Sequence, residues 1–374
     1  MKNIAFLIAC LVFSTGIFAQ KTVTVTNKSV IDRKGEIVEV KACNKKSCII
    51  GKSFVLKNDK GEEVGYQLTY NDKKQITGFI FQADVKANST STYSISEGTP
   101  IPVVAKTFGR FVPERKDDFA WENDFAAYRM YGPALAKENP SNGVDYWAKK
   151  TDLLIVDEFY NGELKQGLSY HRDRGHGLDF YKVGHTLGCG GVSLFVNDSL
   201  WVGDHYNKFK VIENGPLRTI FTLTYDSVKV GNDYYSETFT VSATAGSLLN
   251  KGIVTYSGKN QKIKMAAGLF LHDGKGVLKS NTGNGTLAYA ENATSEFGEP
   301  KGRNYVGIVV PAKTAEGKNA KHAFLLSDYK AGKAFNYYFG GGWNEYKFPT
   351  DDDWFKAVQD FQLKVSNPLT VKLK

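Results

Sequence analysis

Apolar and polar residues alternate with period two along much of the chain, the pattern of strands buried on one face. Residues 21–26, 37–41, 67–70, 75–81 and 92–96 carry it, with a shorter run at 53–56. Turn-rich separators at 58–61, 71–74 and 87–90 fall between them. The pattern resumes at 153–156, 191–196, 209–212, 218–225 and 235–242 and continues to the C-terminus. Residues 119–130 fit either an amphipathic helix or a strand with Ala126, Tyr128 and Met130 on one face; 352–363 reads as a helix. These elements predict an all-β protein, a large antiparallel β-sandwich with few short helices. No composition break divides it.

Composition sharpens this picture. The 374 residues include 24 Phe, 20 Tyr, 5 Trp and 37 Gly without a period, which excludes disorder and collagen. The net charge of +9 suggests an anionic partner. Lys and Arg are interleaved with acids and form no recognition motif, so nucleic acid is not expected.

Residues 1–19 read as a signal peptide: Lys2, an apolar stretch broken by Ser14, Thr15 and Gly16, and a small-residue cleavage site after Ala19. A lipobox around Cys10 is the competing reading. The run is too short for a membrane span, and no later segment approaches one. Residues 20–374 are then expected to form a single periplasmic domain. Cys43 and Cys48 have the spacing of a small disulfide loop, and Cys189 is expected to be a buried free thiol.

Three segments carry candidate chemistry. Residues 170–184 combine histidines, acids, arginines and tyrosines among glycines, the composition of a loop. His171 is a candidate general base, with Tyr170 or Tyr181 as its acid partner. Asp173 and Asp179 have calcium-loop spacing without the completing Glu, so a structural cation there is an alternative and no other cofactor is expected. Residues 115–124 with Arg129 suit a sugar acid: Trp121 for the pyranose face, Asn123 and the acids, Glu122 among them, for hydroxyls, and Arg115 or Arg129 for a carboxylate. An ion-pair network buttressing the sheet fits the same residues. In 336–345 a glycine triplet before Trp343 lets backbone approach a ligand, or else forms an aromatic core with a bulge. A polysaccharide lyase that cleaves the chain by β-elimination, a hydrolase using two of Asp117, Asp118, Glu122 and Asp124, and a binding protein using Trp121, Trp343 and Trp354 are the other classes considered.

Together, Arg-x-Asp-Asp-x-x-Trp-Glu-Asn-Asp (115–124), Arg-Met-Tyr-Gly-Pro (129–133), Tyr-His-x-Asp-x-Gly-x-Gly-x-Asp-x-Tyr-x-Val-Gly (170–184), Gly-Cys-Gly-Gly (188–191), Asn-Gly-Pro-x-Arg (214–218) and Tyr-Tyr-Phe-Gly-x-Gly-Trp (337–343) resemble an exported, long-uncharacterised family of bacterial polysaccharide-utilisation loci. Its closest characterised type looks like the ulvan oligosaccharide dehydratase. The resemblance implies a sandwich like those of galactose mutarotases and polysaccharide lyases. It implies a carboxylated, sulfated oligosaccharide substrate, from whose non-reducing-end uronic acid water is eliminated to leave a 4,5-unsaturated uronate. It marks His171, Arg115 and Arg129 as site positions without assigning their roles.

Overall fold

The computed structural model describes residues 21–43, 48, 50–138, 140–259 and 262–374. The expected signal peptide and Cys10 lie outside the described residues. Antiparallel strands dominate, so the chain is an all-β, sandwich-like protein.

The chain builds its main body from an eight-stranded sheet and a five-stranded sheet. In the first, Arg218–Val230, Asp233–Thr244, Asn250–Ser257, Phe335–Trp343, Pro300–Val309 and Thr286–Thr294 lie side by side. Alternate residues along them, such as Phe221, Leu223, Phe239, Val241, Val254 and Phe339, face inward. Leu194, Met265, Ala267, Leu269 and Leu325 of the five-stranded sheet Ser199–Trp201, Cys189–Val196, Lys262–Phe270, His322–Lys330 and Ala315–Lys318 share that core. Period-two patterning is therefore satisfied by face-to-face burial. Cys189 sits in this core as a free thiol.

Residues 21–96, with the C-terminal strand Thr370–Leu373, form a smaller two-sheet unit. It has its own core of Val23, Val25, Val38, Phe79, Phe81 and Tyr93. Cys43 and Cys48 are joined by a disulfide there.

Two helices cover sheet faces. Helix α2, Asp351–Ser366, begins with a capping box between Thr350 and Asp353 and places Asp351–Asp353 at its positive end. Trp354, Phe355, Val358 and Phe361 then recur at helical spacing and are buried. Helix α1, Val156–Gln166, was not legible as a helix. Residues 153–156, expected as a strand, instead lead into it. Its Val156, Phe159 and Tyr160 pack on Val112, Ala120, Ala127 and Trp147.

Those last residues belong to a second five-stranded sheet, the site sheet. Its order is Gly177–Leu178, Asp145–Lys149, Ala126–Met130, Asp118–Asn123 and Thr107–Val112. Residues 119–130 are thus two strands of a hairpin, and Ala126, Tyr128 and Met130 do share the core-facing side. The opposite side, under α1 and the segment after it, carries buried charge.

Glu237 is a second buried charge, on the core face of Asp233–Thr244. Burial pushes its carboxyl up to about 7, against a hydrogen bond with Tyr256. A carboxyl raised above its unfolded value favours the folded state at low pH, and that contribution is lost as pH rises through about 7. Glu237→Gln is therefore expected to raise stability by about 3 kcal/mol at about pH 8 and hardly at all at about pH 4. Denaturant titrations of both proteins at the two pH values measure the difference; an equal effect at both refutes this account.

Candidate active site

The hairpin Asp118–Asn123/Ala126–Met130 points Asp118, Ala120, Glu122, Ala127 and Arg129 away from the core, because neighbouring residues of a strand face opposite sides. Glu122 meets the start of α1. It accepts hydrogen bonds from the Ile155 and Val156 amides at 2.9 and 2.8 Å and pairs with Lys149 Nζ at 2.8 Å. It is a helix-terminal anion, not a ligand group. Asn123 closes the hairpin: its Oδ1 accepts from the Phe125 amide at 2.9 Å and its Nδ2 donates to Ser247 O at 2.8 Å.

Arg129 is the centre of the charged layer. Its Nε donates to Asp145 Oδ2 at 2.9 Å and its Nη2 to Asp179 Oδ2 at 2.9 Å and Tyr131 Oη at 2.8 Å. Its Nη1 donates to Tyr170 Oη at 3.1 Å, and Asp118 lies 3.8 Å away. The guanidinium also lies over the rings of Tyr131 and Trp147. Burial works against its charge, but facing Tyr131, Asp145, Tyr170 and Asp179 hold it firmly protonated. Burial pushes the Asp118 carboxyl up to about 6, with Arg129 and Arg115 opposing. Burial and then Asp145 push that of Asp179 to about 7. The expected buttressing network is thus present, and Arg129, read as a substrate clamp, is committed to the protein's own carboxylates.

The loop after α1 turns at Gly167, whose φ of 64° is left-handed. Glu163 receives the Tyr170 amide at 3.1 Å, and Tyr170 stacks on Trp147 with centroids 5.2 Å apart. His171 follows at the rim. Its Nδ1 lies 2.9 Å from the Asp179 carbonyl oxygen. A carbonyl only accepts, so Nδ1 carries the proton, and in neutral imidazole the lone pair is on Nε2. The ring is 28% exposed.

These elements enclose a cavity of about 430 Å³ lined by Arg115, Arg129, Tyr170, His171, Tyr181 and Glu296, among others. Arg115 stands near Tyr170, and among the described residues no carboxylate forms an ion pair with it. Burial opposes its charge, while Tyr170 and Asp118 outweigh that and keep it protonated. The Tyr181 hydroxyl is buried and has no hydrogen-bond partner among the described residues. Burial, first, and then Cys189 and Glu291 push its phenol well above the ordinary value, so it stays protonated. The cavity thus offers a cation without a carboxylate partner among the described residues and a ring nitrogen with a lone pair, with the buried Tyr181 in its wall.

The sequence-derived residues therefore separate. His171, Tyr170, Tyr181, Arg115, Arg129 and Asp179 come together. Trp121 does not: it is fully buried between Tyr128 and Phe221, with its indole N–H on Asn250 Oδ1, so it offers no sugar platform. Trp343 is also buried and donates to Lys301 O at 2.6 Å. A Cβ at Gly340, Gly341 or Gly342 would meet Tyr128, Tyr146 or Phe348 within 3 Å, so the glycines admit core rings, not a ligand. Trp354 is in the α2 core.

The cation loop is corrected likewise. Asp173 pairs with Lys150 and accepts from the Gly175 and Gly177 amides, while Asp179 faces Arg129. Each carboxylate already has its countercharge. Among the described residues no cluster of three His, Cys, Asp or Glu is arranged for a metal. Three of the four carboxylates considered for hydrolysis are occupied too: Asp118 accepts from Tyr160 Oη, Glu122 caps α1 and Asp124 accepts from the Gly246 amide. Sequence reasoning missed Tyr131, Ser141, Lys182 and Glu296, which also line the cavity. Tyr131 lay inside a quoted motif; Glu296 lies in an ordinary turn with no signal.

Fold and site define an all-β protein with a polar cavity on the rim of a sheet. Residues 25–371 match the family described as Domain of unknown function (DUF4861), and the chain belongs to that family. Uncharacterized protein P7 of Formosa agariphila is 31% identical over 313 residues, covering 79% of this chain and 78% of that protein. A protein in the glycosyl hydrolase family 38 from Enterococcus faecalis shares the fold, with TM-score 0.52 and 9% identity. The match covers 95% of this chain and 47% of that one. An alpha-mannosidase from Enterococcus faecalis V583 aligns at TM-score 0.46 and 8% identity over 95% of this chain and 46% of its own. This chain spans about half the length of these two solved structures. Among the described residues no helix is long and apolar enough to cross a membrane.

Proposed function

We propose that the protein is a carbon–oxygen lyase, a dehydratase. It eliminates water across C4–C5 of the non-reducing-end uronic acid of ulvan oligosaccharides and leaves a 4,5-unsaturated uronate. The observation that carries this reading is the pairing, in one cavity, of a histidine whose Nδ1 is fixed on the Asp179 carbonyl and an arginine without a carboxylate partner among the described residues. A uronate needs both: a base for its C5 proton and a cation for its carboxylate.

In this mechanism Arg115 pairs with the substrate carboxylate and stabilises the charge that develops as C5 loses its proton. His171 Nε2 takes that proton. The electron pair of the C5–H bond becomes the C4–C5 double bond as the C4–O bond breaks. Tyr181 gives its phenolic proton to the departing oxygen, which leaves as water. Arg129 acts indirectly, holding Tyr170, Asp179 and Tyr131 in position.

A family 38 glycosyl hydrolase relative in fold is compatible with an oligosaccharide substrate, by analogy of fold alone. The net charge of +9 suits an anionic one. The Cys43–Cys48 disulfide suits an oxidising compartment, in line with periplasmic action.

The test is incubation with saturated, uronate-ended ulvan oligosaccharides, following ultraviolet absorbance and product mass. Loss of one water without chain shortening is expected. Chain shortening with the same absorbance makes the protein a polysaccharide lyase, and new reducing ends without absorbance make it a hydrolase. Arg115→Met should lower kcat/KM by roughly 10²-fold, since a charge-assisted pair to the substrate is lost. Unchanged kcat/KM removes Arg115 from the role.

A further inference from the structure

The cavity wall opposite His171 comes from the eight-stranded sheet, at the turn 295–299 between Thr286–Thr294 and Pro300–Val309. That turn is tightly tied. The Ser295 amide donates to Glu299 O at 2.8 Å, the Gly298 amide to Ser295 O at 3.0 Å and the Glu299 amide to Ser295 Oγ at 3.2 Å. Gly298, at φ 80°, supplies the left-handed residue the turn requires.

Two consecutive residues of this turn meet two consecutive residues of the histidine loop. The Arg172 guanidinium lies over the Phe297 ring, 4.1 Å from its centroid. Glu296 Oε2 lies 3.6 Å from His171 Nε2. The Arg172–Phe297 contact thus lies beside the point where the carboxylate faces the lone-pair nitrogen. The Glu296 side chain is 54% exposed, so it borders both the cavity and bulk water.

We infer that Glu296 is the proton exit of the site: it stabilises the His171 imidazolium formed in the elimination and passes its proton to solvent. The inference rests on the elimination reading above. Each turnover leaves His171 with one proton too many and Tyr181 with one too few. The proton on Nε2 moves to the Glu296 carboxylate and then to water, while the Tyr181 oxygen takes one from water, so the balance closes. Glu296 acts through His171 and is a positioning residue. The other charged or titratable groups around the His171 ring and its cavity are Asp179, with Oδ2 3.7 Å from Nδ1, the adjoining Tyr170, and Arg115, Arg129, Tyr131, Tyr181 and Lys182 of the cavity wall. Of all these groups, Glu296 is the one with a carboxylate oxygen beside Nε2.

Glu296→Gln keeps the shape and removes the charge. It is expected to lower kcat about tenfold with KM little changed, and to move the acid limb of the kcat profile to lower pH. Added formate should restore part of the loss, and Glu296→Asp should retain more activity than the Gln variant. A substrate-free measurement separates this inference from the reaction itself. The ring signals of His171, followed by NMR against pH, should cross over at lower pH in Glu296→Gln than in the unchanged protein. Unaltered kcat and acid limb, or an unmoved NMR crossover, overturn the inference. A moved crossover in a protein that makes no unsaturated product overturns the elimination reading and leaves the Glu296–His171 pair standing.

Discussion

Replacing His171 by alanine is expected to lower formation of the unsaturated uronate by roughly 10²–10⁴-fold, the usual contribution of a positioned general base. The fold should survive. The ring stands at the cavity rim, and among the described residues its one hydrogen bond within normal distance goes from Nδ1 to a backbone carbonyl. Thermal melting should therefore shift little while turnover collapses. The informative comparison is His171→Gln, which can keep a donor toward the Asp179 carbonyl but offers no basic nitrogen. If the histidine only held the loop, the Gln variant would recover activity. If it is the base, both variants stay inactive and both bind the saturated oligosaccharide. A fully active His171→Ala protein would exclude it from the chemistry.

The second large effect concerns stability. Arg129→Met should cost roughly 3–5 kcal/mol at neutral pH, because it leaves the buried carboxylates of Asp145 and Asp179 without their cation. The sign of its pH dependence follows from the same groups. Asp118, Asp145 and Asp179 already bind protons more tightly in the fold than in the open chain, with Asp118 at about 6 and Asp179 at about 7. Stability from such groups is present at low pH and is lost as pH rises through those values. Without Arg129 the carboxyls hold their protons more strongly still. The deficit of the variant should therefore shrink as pH falls toward about 5. Denaturant unfolding of both proteins across that range measures it. A pH-independent deficit would mean that lost packing against Trp147 and Tyr131, not uncompensated charge, dominates.

The buried layer also explains why sequence and structure part company over this site. Residues 115–124 are dense in Arg, Trp, Asn and acids, and the same composition suits a sugar site or an internal network. Composition cannot tell a side chain pointing to solvent from one covered by α1. The covering helix was itself unread, because 156–166 has only a short apolar stripe and a glycine in its middle. Once α1 is in place, Glu122 becomes its N-terminal anion and Arg129 becomes internal. Trp121, one residue from Glu122, must face the other way and enters the core.

The features legible from the residues alone are local. Period-two alternation specified the strands and hence the all-β class, since each strand must bury one face. Helical spacing and acidic first-turn residues specified α2. The spacing of Cys43 and Cys48 specified their bond, and the glycine-rich composition of 170–184 marked the histidine loop. Tertiary structure decided everything that depends on which face is covered and on what lies opposite. It buried Trp121 and Trp343, gave the Asp173 and Asp179 carboxylates their countercharges and left Arg115 facing the cavity. It also brought Glu296, more than a hundred residues away in sequence, to 3.6 Å from His171. The physical reason is that alternation encodes the burial of a residue's own strand, whereas a cavity is lined by strand ends and turns whose neighbours are set by sheet order.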